Sequence, residues 1–173
     1  ASFAEIVPML RERGVAPVYT HVTAYAVRRD PTALTDAQLR EITGLGGLVG
    51  VTANLAHMRP DPAPVGLSAE HCGGTIDDFR LHWDHIVGLT AGQPVAWGSD
   101  FQGGVDHIGP TLGLKGCSPA PPMADTFDVE GLAHTGLVEP MFAHLAAAGS
   151  SRAPLDASAE RFLTIWERSL AAR

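Results

Sequence analysis

Residues 75–104 read TIDDFRLHWDHIVGLTAGQPVAWGSDFQGG, a helix, a short link, a strand and a polar turn in succession. Thr75 and Asp78, three apart, form a capping box, in which hydroxyl and carboxylate each satisfy the other's end of the backbone. Ile76, Phe79, Trp83, Ile86 and Val87 then recur at helical spacing, so one apolar stripe faces a core while Asp77 and Asp84 face away. Beyond the link at 91–93, residues 94–99 are an apolar run of strand length, and Asp100 follows directly.

Similar units lie on either side. Ser2 with Glu5 and Thr35 with Gln38 are further capping boxes. The first helix contains Pro8, which removes a backbone donor, so a kink or a later start is expected, with an end at Gly14. Residues 16–20 and 47–53 read as strands that are apolar on both faces or nearly so. A fourth helix, roughly 137–148, ends at Gly149, and a fifth from about Ala157 sets Phe162, Leu163, Trp166 and Leu170 on one side, so the C-terminal segment is expected to pack. Alternating helices and strands argue for a parallel sheet, because parallel strands need crossover connections. The links after helices are a few residues long. Those after strands, 54–74 and 101–136, are long, proline-containing and aperiodic, as functional loops are. In a (β/α) barrel the loops after the strands build the active site, so chemistry is expected just after Thr20, Ala53 and Ser99.

The 173 residues, 45% hydrophobic and 18% charged, are enough for one buried core. A net charge of −7 gives no basic stripe, which argues against nucleic acid as a partner. No apolar run is long enough to cross a bilayer, and the N-terminal stretch lacks the apolar segment of a signal peptide. Cys72 and Cys117 are too far apart in sequence for a finger-type zinc site; one disulfide tying the two long loops together, or two free thiols, both remain open.

His21 stands at the end of the first strand and Asp100 at the end of the third. An imidazole there can ligate a divalent metal, and a carboxylate there can shuttle the proton of a bound water. The plainer reading is a histidine satisfied by a carbonyl and an aspartate capping a turn. His82 and His85, three apart, share a helix face and with it either a metal or a structural role. His57, His71, His107 and His134 fall in the long loops, where His134 is the best candidate to touch substrate.

The residues around His21 and Asp100 resemble the membrane (renal) dipeptidase family of zinc peptidases. The family's proline, apolar strand, Ser-His-Ser and later NLTDEQ are echoed by APVYTHVTAYAVRRDPTALTDAQLREI at 16–42. Its G-x-D-F-D-G is echoed by GSDFQG at 98–103, its D-H-I-D-H-I by HWDHI at 82–86, and its G-G-N-F-L-R-V-F by AERFLTIWE at 159–167. The resemblance implies a (β/α)8 barrel with two zinc ions bridged by a glutamate and a water, hydrolysing dipeptides or related small amides. His21 would ligate one zinc, Asp100 would be the catalytic acid/base, and the helix carrying His82 and His85 would lie outside the barrel.

A barrel of this kind takes about 250 residues, and three strands are legible here, so residues 1–173 are expected to be the C-terminal portion of a single α/β barrel domain, incomplete on its own. The family's His-x-Asp, bridging glutamate and Asp-x-Ser-His have no counterpart in this chain. The expected partners are therefore the N-terminal half of the barrel, in the same or a separate chain, a small peptide or amide substrate and, because an incomplete barrel leaves strand edges uncovered, a second copy in a homodimer. Within the resemblance, the family's carboxylate-clamping arginine falls at Thr32 and the second aspartate of D-F-D-G at Gln102. Arg28, Arg29 or, in the next long loop, Arg59 could replace the arginine, or the preferred substrate lacks a free carboxylate. The competing function is a catalytically degenerate barrel fragment that acts as a binding or scaffold protein.

Overall fold

A computed structural model describes residues 3–54, 58, 75–99, 132 and 135–171. Ten-residue α1, Phe3–Glu12, leads into β1, Val18–Val22; α2, Asp36–Gly44, leads into β2, Leu48–Thr52; and α3, Ile76–Leu89, leads into β3, Val95–Gly98. A single 3-10 turn at Thr135–Leu137 opens α4, Val138–Ala147, and the short α5, Ala153–Asp156, precedes α6, Ser158–Ala171. The strands form one parallel sheet in the order β1-β2-β3. The fold expected from the alternation is present as a mixed α/β unit with a parallel sheet.

Local chemistry sets the helix ends. Two of the three expected capping boxes form, Thr35 with Gln38 and Thr75 with Asp78, each with the hydroxyl accepting from the N3 amide and the N3 side chain accepting from the cap amide. Ser2, the cap expected for α1, lies outside the described residues. Helix α1 starts before Pro8 rather than after it. Proline costs a helix its intrahelical bond only beyond the first turn, and the chain bears that cost here. After α4, Gly149 has φ +93°, and the amides of Gly149 and Ser150 reach back to the carbonyls of Ala146 and Leu145, a left-handed end that glycine adopts without strain.

The core lies on one face of the sheet. Val49, Val51 and Val95 point into it and meet Leu39 and Ile42 of α2, Ile76, Phe79, Trp83 and Ile86 of α3, and Met141, Phe142 and Leu145 of α4, all buried. Phe142 is the hub. Its ring meets Trp83 edge-on at 5.4 Å, Trp97 at 6.3 Å and Phe79 at 6.5 Å, in the T-shaped geometry that aromatic quadrupoles favour. Trp83 Nε1 donates to the Ser151 carbonyl at 3.0 Å, so the indole's one polar atom is satisfied.

Two expectations about burial are corrected. Strand β1 runs over 18–22 rather than 16–20, and its first four residues are exposed while Val22 alone is buried. The reason is position: β2, buried at all five residues, has a neighbour on each side, whereas β1 is an edge among the described residues. The stripe on α6 forms but is open, with Phe162 at 43%, Leu163 at 58%, Trp166 at 57% and Leu170 at 50% exposure. Only Ile165 of this helix is buried. Helical spacing dictates which side chains share a face and says nothing of what covers them.

His82 is fully buried on α3. Its Nδ1 accepts from the Ala24 amide and its Nε2 bonds the Met58 carbonyl, each at 3.0 Å. The ring is therefore neutral with its proton on Nε2, and it ties the segment after β1 to the segment after β2. Burial pushes its pKa from 6.5 down to about 4; the Met58 carbonyl opposes this, and Arg28 and His85 add to it. A folded-state value below the unfolded one gives stability that is full above pH 6.5 and is lost as the pH falls toward about 4.

Two measurements follow. Phe142→Ala should cost about 3–5 kcal/mol in chemical denaturation, through lost burial and the cavity left among three aromatic rings. Between pH 7 and pH 4 the melting temperature of the parent should fall by more than that of His82→Gln, the difference approaching about 3 kcal/mol in stability; parallel pH profiles would count against the buried neutral ring.

Candidate functional site

Parallel pairing brings the C-terminal ends of all three strands to one edge. Val18 and Tyr19 pair with Leu48 and Val49, but Val22 pairs with Val51. Three steps along β1 thus match two along β2, and the extra residue makes a bulge at Thr20 and His21. There His21 has φ +64°, a left-handed backbone that costs any residue with a Cβ and that tends to occur at functional positions. Its ring is exposed, and Nδ1 stands 2.9 Å from the Thr20 hydroxyl.

His21 leans over the end of β2 toward β3. A Cβ built on Gly98 would lie 3.0 Å from the His21 amide nitrogen, 3.4 Å from its Cα and 3.5 Å from ring atom Cδ2. Strands β1 and β3 are not neighbours in the sheet, so this approach means that the sheet curls and its two outer strands converge on one face. Gly50, at the centre of that concave face, would with a Cβ meet Thr20 Cα and Gly98 N at 3.6 Å. The face opposite the core therefore carries almost no side-chain bulk along Gly50, Ala96 and Gly98, and His21 projects above it.

The loop after β1 is tightly built. Ala24 and Leu34 form a parallel bridge, with the Tyr25 amide donating to the Leu34 carbonyl and the Leu34 amide to the Thr23 carbonyl. Asp30 organises the turn between them. Its Oδ1 accepts from the Thr32 amide at 2.8 Å and from the Thr32 hydroxyl at 2.6 Å, while Arg28 Nε lies 3.4 Å from its Oδ2. Thr32 is thus a brace for the loop, and Arg28 is partnered by the same carboxylate. Arg29 is exposed.

Other residues singled out by sequence are not gathered here. His82 is the strut described above, and His85 Nε2 bonds Asp36 Oδ1 at 2.8 Å, so each ring of that pair has its own partner and they share no ion. Asp100, Gln102, Arg59, His57, His71, His107, His134, Cys72 and Cys117 lie outside the described residues. Among the described residues no group of three or more histidine, cysteine, aspartate or glutamate side chains is placed to hold a metal. His21 fits a dication in kind, as a strand-end imidazole with one nitrogen against a hydroxyl, and it supplies one ligand of the several that an ion needs. Two hollows, of about 240 and 60 Å³, lie at the opposite end of the sheet, between α6 and the residues that lead into the strands.

Sequence reading missed two members of this arrangement, Asp30 and Gly50. The Asp-x-Thr spacing of Asp30 and Thr32 was a local signal for a side-chain-closed turn. Gly50 carried none, since its place depends on which strands meet in space.

Comparison with known proteins agrees with this geometry. In solved structures the fold is matched by a metallo peptidase from Rhodobacter sphaeroides liganded with a phosphinate mimic of the dipeptide L-Ala-D-Ala, with a TM-score of 0.63, 23% identity, and 96% of this chain against 39% of that one. The dipeptidase AC, a metallo peptidase of family M19, gives 0.60 and 26% over 96% and 40%, and an amidohydrolase from Pseudomonas aeruginosa gives 0.61 and 17% over 92% and 47%. An uncharacterized protein in the pqqA 5' region of Klebsiella pneumoniae is 34% identical over 99 residues, 56% of this chain and 34% of its own length. The chain thus spans about a third of that relative and less than half of each solved structure. The sequence pattern of the membrane dipeptidases, peptidase family M19, runs through residues 7–128, from α1 through the curled sheet and past Asp100, and this chain belongs to that family.

Proposed function

We propose that this chain is the C-terminal portion of a metallo-dipeptidase barrel, contributing three strands and their helices to a (β/α)8 domain that hydrolyses dipeptides or related small amides. The observation that carries the proposal is the convergence of the β1 and β3 ends, which sets His21 against Gly98, two residues before Asp100. Strand ends on the concave face of a parallel sheet are where such barrels place their chemistry. A solved relative of family M19 is a metallo peptidase, and another metallo peptidase of matching fold holds a phosphinate mimic of a dipeptide.

In this reading His21 contributes one ligand to zinc, the remaining ligands of the two ions coming from the N-terminal half of the barrel. The chemistry that zinc would supply there is a water acidic enough to act as a nucleophile near neutrality. Asp100 accepts the proton of the attacking water and hands it to the departing amine, without which the amine is a poor leaving group. The loop at 24–34 shapes the substrate end. Asp30 already engages both Thr32 and Arg28. A guanidinium shared with a neighbouring carboxylate is a poorer clamp for a substrate carboxylate than an uncompensated one, and weak selection for a free C-terminal carboxylate is the result; exposed Arg29 and, outside the described residues, His134 are the other candidates to touch substrate.

In the whole protein, His21→Ala should lower bound zinc and turnover together, whereas Asp100→Asn should keep its zinc and lose about 10²–10⁴-fold in rate. A scaffold protein would show no metal loss in the first variant and no rate to lose in the second. For the substrate, a dipeptide and its C-terminal amide should differ less than about tenfold in kcat/KM; a preference of a hundredfold or more for the acid, abolished by Arg28→Ala or Arg29→Ala, would show that a replacement clamp operates.

A further inference from the structure

We propose that Thr20 and Gly98 are positioning residues for the His21 imidazole, Thr20 by accepting the Nδ1 proton so that Nε2 presents the ligating lone pair, and Gly98 by leaving open the space into which His21 leans. The proposal rests on the reading of His21 as a metal ligand.

Three observations converge on it. First, His21 is one of two non-glycine residues with positive φ among the described residues, and the other, Ala91, lies in the link between α3 and β3. A left-handed histidine in a strand persists only where its surroundings dictate it. Second, the register slip between Tyr19 and Val22 inserts one residue into β1 at this point and re-aims the side chain. Third, the ring is held on two sides. Thr20 Oγ1 lies 2.9 Å from Nδ1, and a hydroxyl that accepts the Nδ1 proton leaves the ligating lone pair on Nε2. Gly98 meets the His21 backbone so closely that a Cβ would stand 3.0 Å from its amide nitrogen, a contact that would push the His21 backbone aside by a few tenths of an ångström.

Gly50 supplies the contrast. It lies on the same concave face, yet a Cβ there would meet its neighbours only at 3.6–3.8 Å, an ordinary contact. Both glycines look equivalent in the sequence, and they differ in the space around them.

The test uses the full-length protein with zinc alone as the probe, affinity being read by competition with a chromophoric chelator and the His21 tautomer by long-range proton–nitrogen NMR on the metal-free protein. Thr20→Val and Gly98→Ala should each weaken zinc by about 10–100-fold, and Thr20→Val should convert a single Nε2-lone-pair tautomer into a mixture. Thr20→Ser, which keeps the hydroxyl, should restore both readings, and Gly50→Ala should bind zinc within about twofold of the parent, as expected of an uncrowded contact. If His21→Ala weakens zinc while Thr20→Val and Gly98→Ala bind as the parent does, the positioning role is overturned and the ligand role stands. If His21→Ala leaves zinc affinity unchanged, the ligand reading itself fails, and an unaltered tautomer in Thr20→Val would overturn the proposal separately. Should Gly98→Ala lose its cooperative melt, the valine and serine variants at position 20 decide the matter.

Discussion

The parallel hydrogen bonding of β2 to a strand on each side is the constraint from which the described architecture follows. Parallel neighbours cannot be reached by a tight turn, so the chain has to cross over through α2 and α3, and both crossovers deposit their apolar stripes on the same face. That face becomes the aromatic core around Phe142. The opposite face carries Gly50, Ala96 and Gly98. Curling of the sheet toward that side is sterically allowed because so little stands there.

This division of labour explains what the sequence disclosed. Caps are local, so Thr35 with Gln38 and Thr75 with Asp78 were readable from three-residue spacings, and both form. The α3 stripe was readable because four of its members point into one core. Exposure of β1 and α6 was not, because it depends on what lies across from them. Valine and tyrosine at positions 18 and 19 read as a buried strand, yet both are exposed at the edge. The same composition serves a strand with neighbours on both sides and one with a neighbour on one.

The candidate site divides in the same way. His21 stood out as a polar residue closing an apolar run, and the family likeness of the residues around it singled it out further. Its left-handed backbone, the slip in register beneath it and the glycine opposite are properties of how two non-adjacent strands meet, and no spacing along the chain encodes them. For His82 the spacing from His85 allowed either a shared ion or a structural role, the family likeness favoured the structural one, and the folded chain uses the ring to join two loops. A buried histidine with two backbone partners and a metal-binding one have the same one-letter code.

The triangle of Arg28, Asp30 and Thr32 also bears on how this loop can change over generations. Introducing arginine at position 32 would remove the hydroxyl that Asp30 now accepts and set a second guanidinium beside a carboxylate already shared with Arg28. Asp30 would capture the newcomer before any ligand did. An arginine at position 32 that faces outward therefore requires a change at position 30 as well. The three side chains hold one another, and a change at any one of them alters what the other two can do.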